Sequence, residues 1–234
     1  MTQSSRPASA PGTAAGKRKG AYHHGNLRQA IIDAAVALVT ESGLEAMTLR
    51  EAARRAGVSS GAPFRHFPDK RELVQAVAEQ GMAILRSTME DSLARSPAQG
   101  PLVQLAVLAH AYVDWAMRHP TYYRVLGDRL LIDFYASEPL LRDNRWIRQK
   151  MQDLLAAAAD AGMLAITDLA RANLQARAMA YGLARMWVDG HFPEFDLAAK
   201  AAAGAAMTDA LDGFVASLAK DPAAVLGEIR ALRG

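Results

Sequence analysis

Beyond residue 20 the chain is punctuated by prolines at 63, 68, 97, 101, 120, 139, 193 and 222, and the long intervals between them are filled with Ala, Leu, Met, Glu, Arg and Gln. Those residues are strong helix formers, whereas proline opens or ends a helix. Alternating runs of β-branched residues, the mark of a half-buried strand, do not occur. The chain is therefore expected to be all-α. The spacing predicts helices over 26–42, 48–57, 69–93, 101–118, 121–135, 138–161, 168–190, 195–219 and 222–232, with a further short one between Ser59 or Ser60 and Pro68.

Local signals set the first boundaries. Leu27, Ile31, Ala34, Ala35 and Leu38 form one apolar stripe that should close at Gly43. Thr48 with Glu51, and Asp69 with Glu72, have the spacing of capping boxes. Gly57 ends a helix barely two turns long, and Pro63 fits only the opening turn of the next.

Composition narrows the function classes. Of 234 residues, 51% are hydrophobic and 22% charged, a balance that permits a sizeable core. The absence of cysteine removes disulfides, thiolate metal sites and cysteine nucleophiles. No run of about 18 apolar residues suggests a membrane span. Residues 1–20 are Ser-, Pro-, Ala- and Gly-rich, lack the apolar stretch of a signal peptide, and end in Lys17-Arg18-Lys19. They read as a disordered basic arm on a cytoplasmic protein. Residues 1–71 carry eleven Lys or Arg against five Asp or Glu, and the remainder is mildly acidic. A basic front end of this kind suits a polyanion.

Two short helices joined across Gly57-Val58-Ser59 have the form of a helix-turn-helix, whose second helix enters the major groove of DNA by its N-terminal end. That end carries Ser59, Ser60, Gly61 and Ala62, small enough for close backbone approach, with Arg65 and His66 one turn later. Arg54 and Arg55 lie in the preceding helix, and Lys70 sits at a helix start, where free amides can hold a phosphate. At least one of Phe64 and Phe67 is expected in the core.

The string Gly57-Val58-Ser59-Ser60-Gly61-Ala62-Pro63-Phe64-Arg65-His66-Phe67-Pro68-Asp69-Lys70, preceded by Thr48-Leu49-Arg50-Glu51-Ala52-Ala53, resembles the N-terminal signature of the tetracycline-repressor (TetR/AcrR) family of bacterial transcriptional regulators. The resemblance implies a helix-turn-helix domain over 21–70 and a larger helical bundle over 71–234 that binds a ligand and forms a homodimer. It implies phosphate contacts from Thr48, Ser59, Ser60, His66 and Lys70, and base or groove contacts from Arg50, Gly61, Ala62 and Arg65. The family carries Tyr at position 64; Phe64 lacks the hydroxyl that reaches a phosphate, and is expected to stack and pack. The segment Tyr22-His23-His24-Gly25-Asn26-Leu27-Arg28 is also similar to the entrance of a subset with a WHG-type C-terminal domain.

In the bundle, aromatic and Met side chains suit an adaptable pocket, with Trp115, Tyr122, Trp146, Tyr181 and Trp187 as candidate lining residues. The Ala-rich segment 168–218 suits close helix packing between two copies. Gly57-Val58-Ser59-Ser60-Gly61 formally matches a hydrolase nucleophile motif, but that motif needs a preceding strand. The histidines show no metal-ligand spacing, and neither a metal nor another cofactor is expected. The expected protein is a regulator that binds a double-stranded, pseudo-palindromic operator and releases it when a small-molecule effector binds. A ligand-independent activator or architectural DNA-binding protein is the alternative, and a helical enzyme has no acid/base constellation to support it.

Overall fold

In the computed structural model, which describes residues 27–232, Thr48 and Asp69 each cap an element, whereas neither Ser59 nor Ser60 caps the short one before Pro68. Helix α1 is Leu27–Ala46 and α2 is Leu49–Arg55, opened by the Thr48 hydroxyl, which accepts the Glu51 N–H at 3.1 Å. Helix α3, Lys70–Ala94, is opened by Asp69, whose carboxylate accepts the Glu72 N–H at 2.9 Å. There follow α4 (Pro101–Arg118), α5 (Pro120–Gly127), α6 (Glu138–Asp160), α7 (Leu169–Asp189), α8 (Lys200–Ser217) and α9 (Pro222–Ala231). Among the described residues there is no strand, only an isolated bridge between Leu164 and Ala219. The predicted basic arm, residues 1–20, lies outside the described residues.

The apolar stripe of α1 does close at Gly43, whose φ of 80° and ψ of 168° are non-helical, and a further short turn carries the element to Ala46. Three boundaries differ from the expectation, each for a local reason. The short helix after Gly57 is a single 3-10 turn, Pro63–Arg65, confined between two prolines. The predicted 121–135 helix stops at Gly127, where the Asp128 carboxylate accepts the Leu130 N–H at 3.1 Å and holds a turn instead. The predicted 195–219 helix starts only at Lys200, because Phe192–Phe195 forms a 3-10 turn and Asp196 adopts a left-handed φ of 61°.

Helix α4 runs through the middle, apolar on most sides as a central helix must be, and packs against α3, α6, α7, α8 and α9. Helix α3 is shared. It packs against α1 in the N-terminal unit and against α4, α5 and α6 in the body. A buried ion pair fixes α3 to α6: the Asp143 carboxylate accepts from Arg86 at 3.1 Å and from its neighbour Arg142 at 2.8 Å. No helix among the described residues is long and apolar enough to cross a membrane.

Candidate nucleic-acid interface and ligand cavity

The connection between α2 and the 3-10 turn is held by its backbone. Gly57 takes φ 70°, a left-handed conformation that glycine adopts without strain, and the N–H groups of Gly57 and Val58 donate to the carbonyls of Arg54 (3.1 Å) and Ala53 (3.0 Å). Beyond it the Ala62 N–H donates to Ser59 O at 3.0 Å, and Phe67 N–H closes on Pro63 O at 2.9 Å. Phe67 is buried with the Arg28 guanidinium 5.3 Å from its ring centroid, whereas Phe64 is 50% exposed. The partition of the two phenylalanines turns the segment outward.

One exposed face results. Thr48, Arg50, Ser59, Ser60, Gly61, Phe64, Arg65 and His66 are all exposed, and Ala62 is half-buried. No carboxylate pairs with Arg50 or Arg65 among the described residues, while Arg54 and Arg55 are tied to Glu51 and Glu41. A Cβ on Gly61 would meet nothing within 4 Å, and its φ is not left-handed, so neither packing nor backbone conformation within the chain calls for glycine there. Lys70 differs from the other candidates: its ammonium donates to the carbonyls of Leu44 (2.8 Å) and Glu45 (3.1 Å) and so ties down the end of α1.

The body encloses a cavity of about 460 Å³ between α3, α4, α5, α6, α7 and α8. Of the five lining candidates, Trp115 and Tyr181 border it. The other three do not. Tyr122 turns away to pack on Gly81, Trp146 lies under the Arg86 guanidinium at 5.3 Å, and Trp187 packs edge-on against Phe192 at 6.3 Å. Trp115 is buried, and its indole N–H has no hydrogen-bond partner among the described residues.

Five polar lining residues were not singled out as lining from the sequence: Tyr112, Tyr123, Arg129, Asn144 and Arg177. Tyr112 and Tyr123 stand edge to face at 6.4 Å, and the Tyr123 hydroxyl donates to Tyr181 O at 3.1 Å. Burial pushes both phenols above the ordinary tyrosine range, so both remain neutral donors. Arg177 donates to Asn144 Oδ1 at 3.1 Å, and burial lowers its pKa from the ordinary arginine value. Its position in the stripe Asn173-Ala176-Arg177-Ala180-Ala184 was the available signal: a charged residue at core spacing.

Two histidines find acidic partners, one at a time. His110 Nε2 lies 2.6 Å from Asp212, across α4 and α8, and His191 Nδ1 lies 2.7 Å from Glu194. Among the described residues no three potential metal ligands come together.

Helix α5 spans the distance between the cavity and the N-terminal unit with three successive residues. The Thr121 hydroxyl lies 2.6 Å from that of Thr40 on α1, Tyr122 presses on Gly81 of α3, and Tyr123 borders the cavity.

Comparison with known proteins covers both regions. Residues 31–77 match the family described as bacterial regulatory proteins, tetR family, and residues 105–211 match the tetracyclin repressor-like C-terminal domain. The HTH-type transcriptional regulator BetI of Escherichia coli is 27% identical over 191 residues, spanning 71% of this chain and 94% of that one. A solved structure of a protein of unknown function from Rhodococcus sp. RHA1 superposes with a TM-score of 0.71 at 28% identity, over 86% of this chain and 99% of the other. The transcriptional regulator FadR of Bacillus subtilis, solved with stearoyl-CoA, shares the fold with a TM-score of 0.64 at 17% identity, over 81% of this chain and 98% of that one.

Proposed function

The chain belongs to the tetR family of bacterial regulatory proteins, and from that premise we propose that it represses transcription as a homodimer on a pseudo-palindromic operator, leaving the DNA when a small molecule fills the body cavity. The exposed face from Ser59 to His66, with Arg50, enters the major groove. Arg50 and Arg65 read base edges; Thr48, Ser59, Ser60 and His66 hold phosphates, and Gly61 and Ala62 allow close approach. Phe64 packs against the sugar-phosphate surface. Lys70 first orders the end of α1, and adds its charge to the phosphate field from there.

Dimerisation is assigned to α7 and α8, residues 168–218. Leu174 (69% exposed) and Tyr181 (48%) leave apolar surface on α7, and α8 offers the exposed alanines 201, 202 and 205. Two copies place two reading faces on one side of the duplex, about 34 Å or a multiple apart. The protein acts in the cytoplasm and catalyses no reaction.

The observation that carries this reading is the run Thr121-Tyr122-Tyr123, which touches α1, α3 and the cavity in succession. A ligand that displaces Tyr123 acts on α5, and α5 bears on α1, against which α2 packs, and on α3, which follows the 3-10 turn in the chain. The ligand acts only through its difference in affinity for the two arrangements. A coupling of about 1 to 3 kcal/mol reduces operator affinity some 5- to 150-fold.

Selection of bound duplexes from a random library tests the DNA half of the reading. Two inverted half-sites with centres about one helical turn or a multiple apart are expected. A single half-site, or no enrichment, contradicts it. A ligand-independent activator would give the same half-sites but no response to cavity occupancy.

A further inference from the structure

We propose that the cavity takes an apolar monoanion, a hydrocarbon or aromatic body ended by one carboxylate or similar acid group, with the Arg177 guanidinium as its counter-ion. This rests on reading the cavity as the effector site and adds the chemistry of what fills it.

The walls are mostly apolar, with Met82, Leu85, Leu108, Trp115 and Ile147 among them, and a volume of about 460 Å³ falls in the usual range of roughly 300 to 1,000 Å³ for small-molecule sites. The charged lining residues are both arginines, Arg129 and Arg177; no Asp or Glu borders the cavity. They are not equivalent. Arg129 is exposed to water and stacks on Phe134, its guanidinium 3.8 Å from the ring centroid. Arg177 is half-buried on α7, and its one hydrogen bond among the described residues is to a neutral acceptor, Asn144 Oδ1.

A guanidinium has five N–H donors and does not lose its proton in proteins, so it cannot escape burial by becoming neutral. No carboxylate lies within ion-pair distance of Arg177 among the described residues, and the nearby Arg148 adds charge of the same sign. Buried charges are ordinarily paired, because desolvation without compensation is expensive. The fork geometry of the guanidinium suits the two oxygens of an acid group. Tyr112, its phenol held neutral by burial, borders the same space and can turn its hydroxyl from Tyr123 to one of those oxygens. One buried cation balances one negative charge; a dianion would leave excess charge among apolar walls.

The test uses two dyes with one skeleton, 1-anilinonaphthalene-8-sulfonate and the neutral N-phenyl-1-naphthylamine, titrated by fluorescence into the full chain. Wild type is expected to bind the sulfonate at least tenfold more tightly than the neutral dye. Arg177→Gln, which can keep a hydrogen bond to Asn144, should abolish that preference while changing the neutral dye's affinity less than about twofold. Arg177→Lys should retain part of it. Decanoate should then displace the neutral dye at lower concentration than decanol in wild type but not in the Gln variant. Equal binding of both dyes by wild type, or a preference that survives in Arg177→Gln, overturns the anion assignment and leaves the effector cavity standing. Failure of both dyes to bind wild type overturns the cavity reading, and the assignment with it.

Discussion

Tyr122 lies so close to the backbone of Gly81 that a Cβ at residue 81 would come within 2.8 Å of the tyrosine Cβ and 2.9 Å of its Cδ1. Helix α5 is thereby seated directly on α3, and glycine is the residue that permits it. Gly81→Ala should therefore destabilise the protein. Contacts at 2.8 and 2.9 Å put the cost in the upper part of the usual overpacking range, about 2 to 3 kcal/mol, and the roughly 1 kcal/mol that alanine returns in helix propensity leaves a net loss of about 1 to 2 kcal/mol. A fall in Tm of about 2 to 8 °C follows for a chain of this size. An unchanged Tm would mean that the α3–α5 contact has slack.

Gly61 presents the opposite case, since nothing in the chain occupies the space a side chain would take. Gly61→Ala should leave Tm unchanged within about 1 °C, as surface changes usually stay within ~0.5 kcal/mol. Operator affinity should nevertheless fall about tenfold, measured by fluorescence anisotropy. Equal affinity would remove position 61 from the interface.

Arg50, Arg65 and Lys70 should separate in their effects. Arg65→Ala or Arg50→Ala should relax preference at particular base pairs by about 1 to 3 kcal/mol. Lys70→Ala should weaken all duplexes alike and also lower Tm, because two carbonyls at the end of α1 lose a charged donor worth roughly 1.5 to 3 kcal/mol each at most. Binding measured on a panel of single-base-pair variants distinguishes the two patterns.

Asp143 gives a pH-dependent contribution whose sign is fixed. Burial pushes its carboxyl pKa up, but hydrogen bonds from Arg142 and Arg86 outweigh burial and hold it below the usual range. Its stabilisation is therefore complete above the unfolded value of about 3.9 and is lost as pH falls through the lower folded value. Asp143→Asn, which leaves Arg86 with Glu90 alone and Arg142 to solvent, should lose about 1.5 kcal/mol at pH 7. The gap from wild type in urea unfolding should narrow below about pH 4. A gap constant with pH would show that the charge of Asp143 contributes nothing.

Much of the fold was legible because its signals are local. Thr48, Gly57 and Asp69 act through their own backbone and nearest turns, and they bound the two short helical elements as clearly in the sequence as in the structure. The cavity was less so. Tyr122 and Tyr123 are adjacent on a helix and point about 100° apart, and only the packing of α5 on Gly81 decides that Tyr123 borders the cavity. Trp115 and Tyr181 were identified as aromatic residues of the body, a criterion that equally gathered Tyr122, Trp146 and Trp187, which do not border the cavity. Arg177 was missed as a lining residue because charge ordinarily marks a solvated face, and only the surrounding helices show this one turned inward. The early end of α5 depended on one turn at Asp128, too small a feature to interrupt the helical pattern beforehand.

Coupling between a DNA-reading face and a filled cavity in one chain is measurable from either side by linkage. The affinity of 1-anilinonaphthalene-8-sulfonate should be measured for the free dimer and for the dimer saturated with its selected operator. Binding about 5- to 150-fold weaker on the operator complex is expected, the reciprocal of the loss in DNA affinity. Equal affinity in the two states would contradict it.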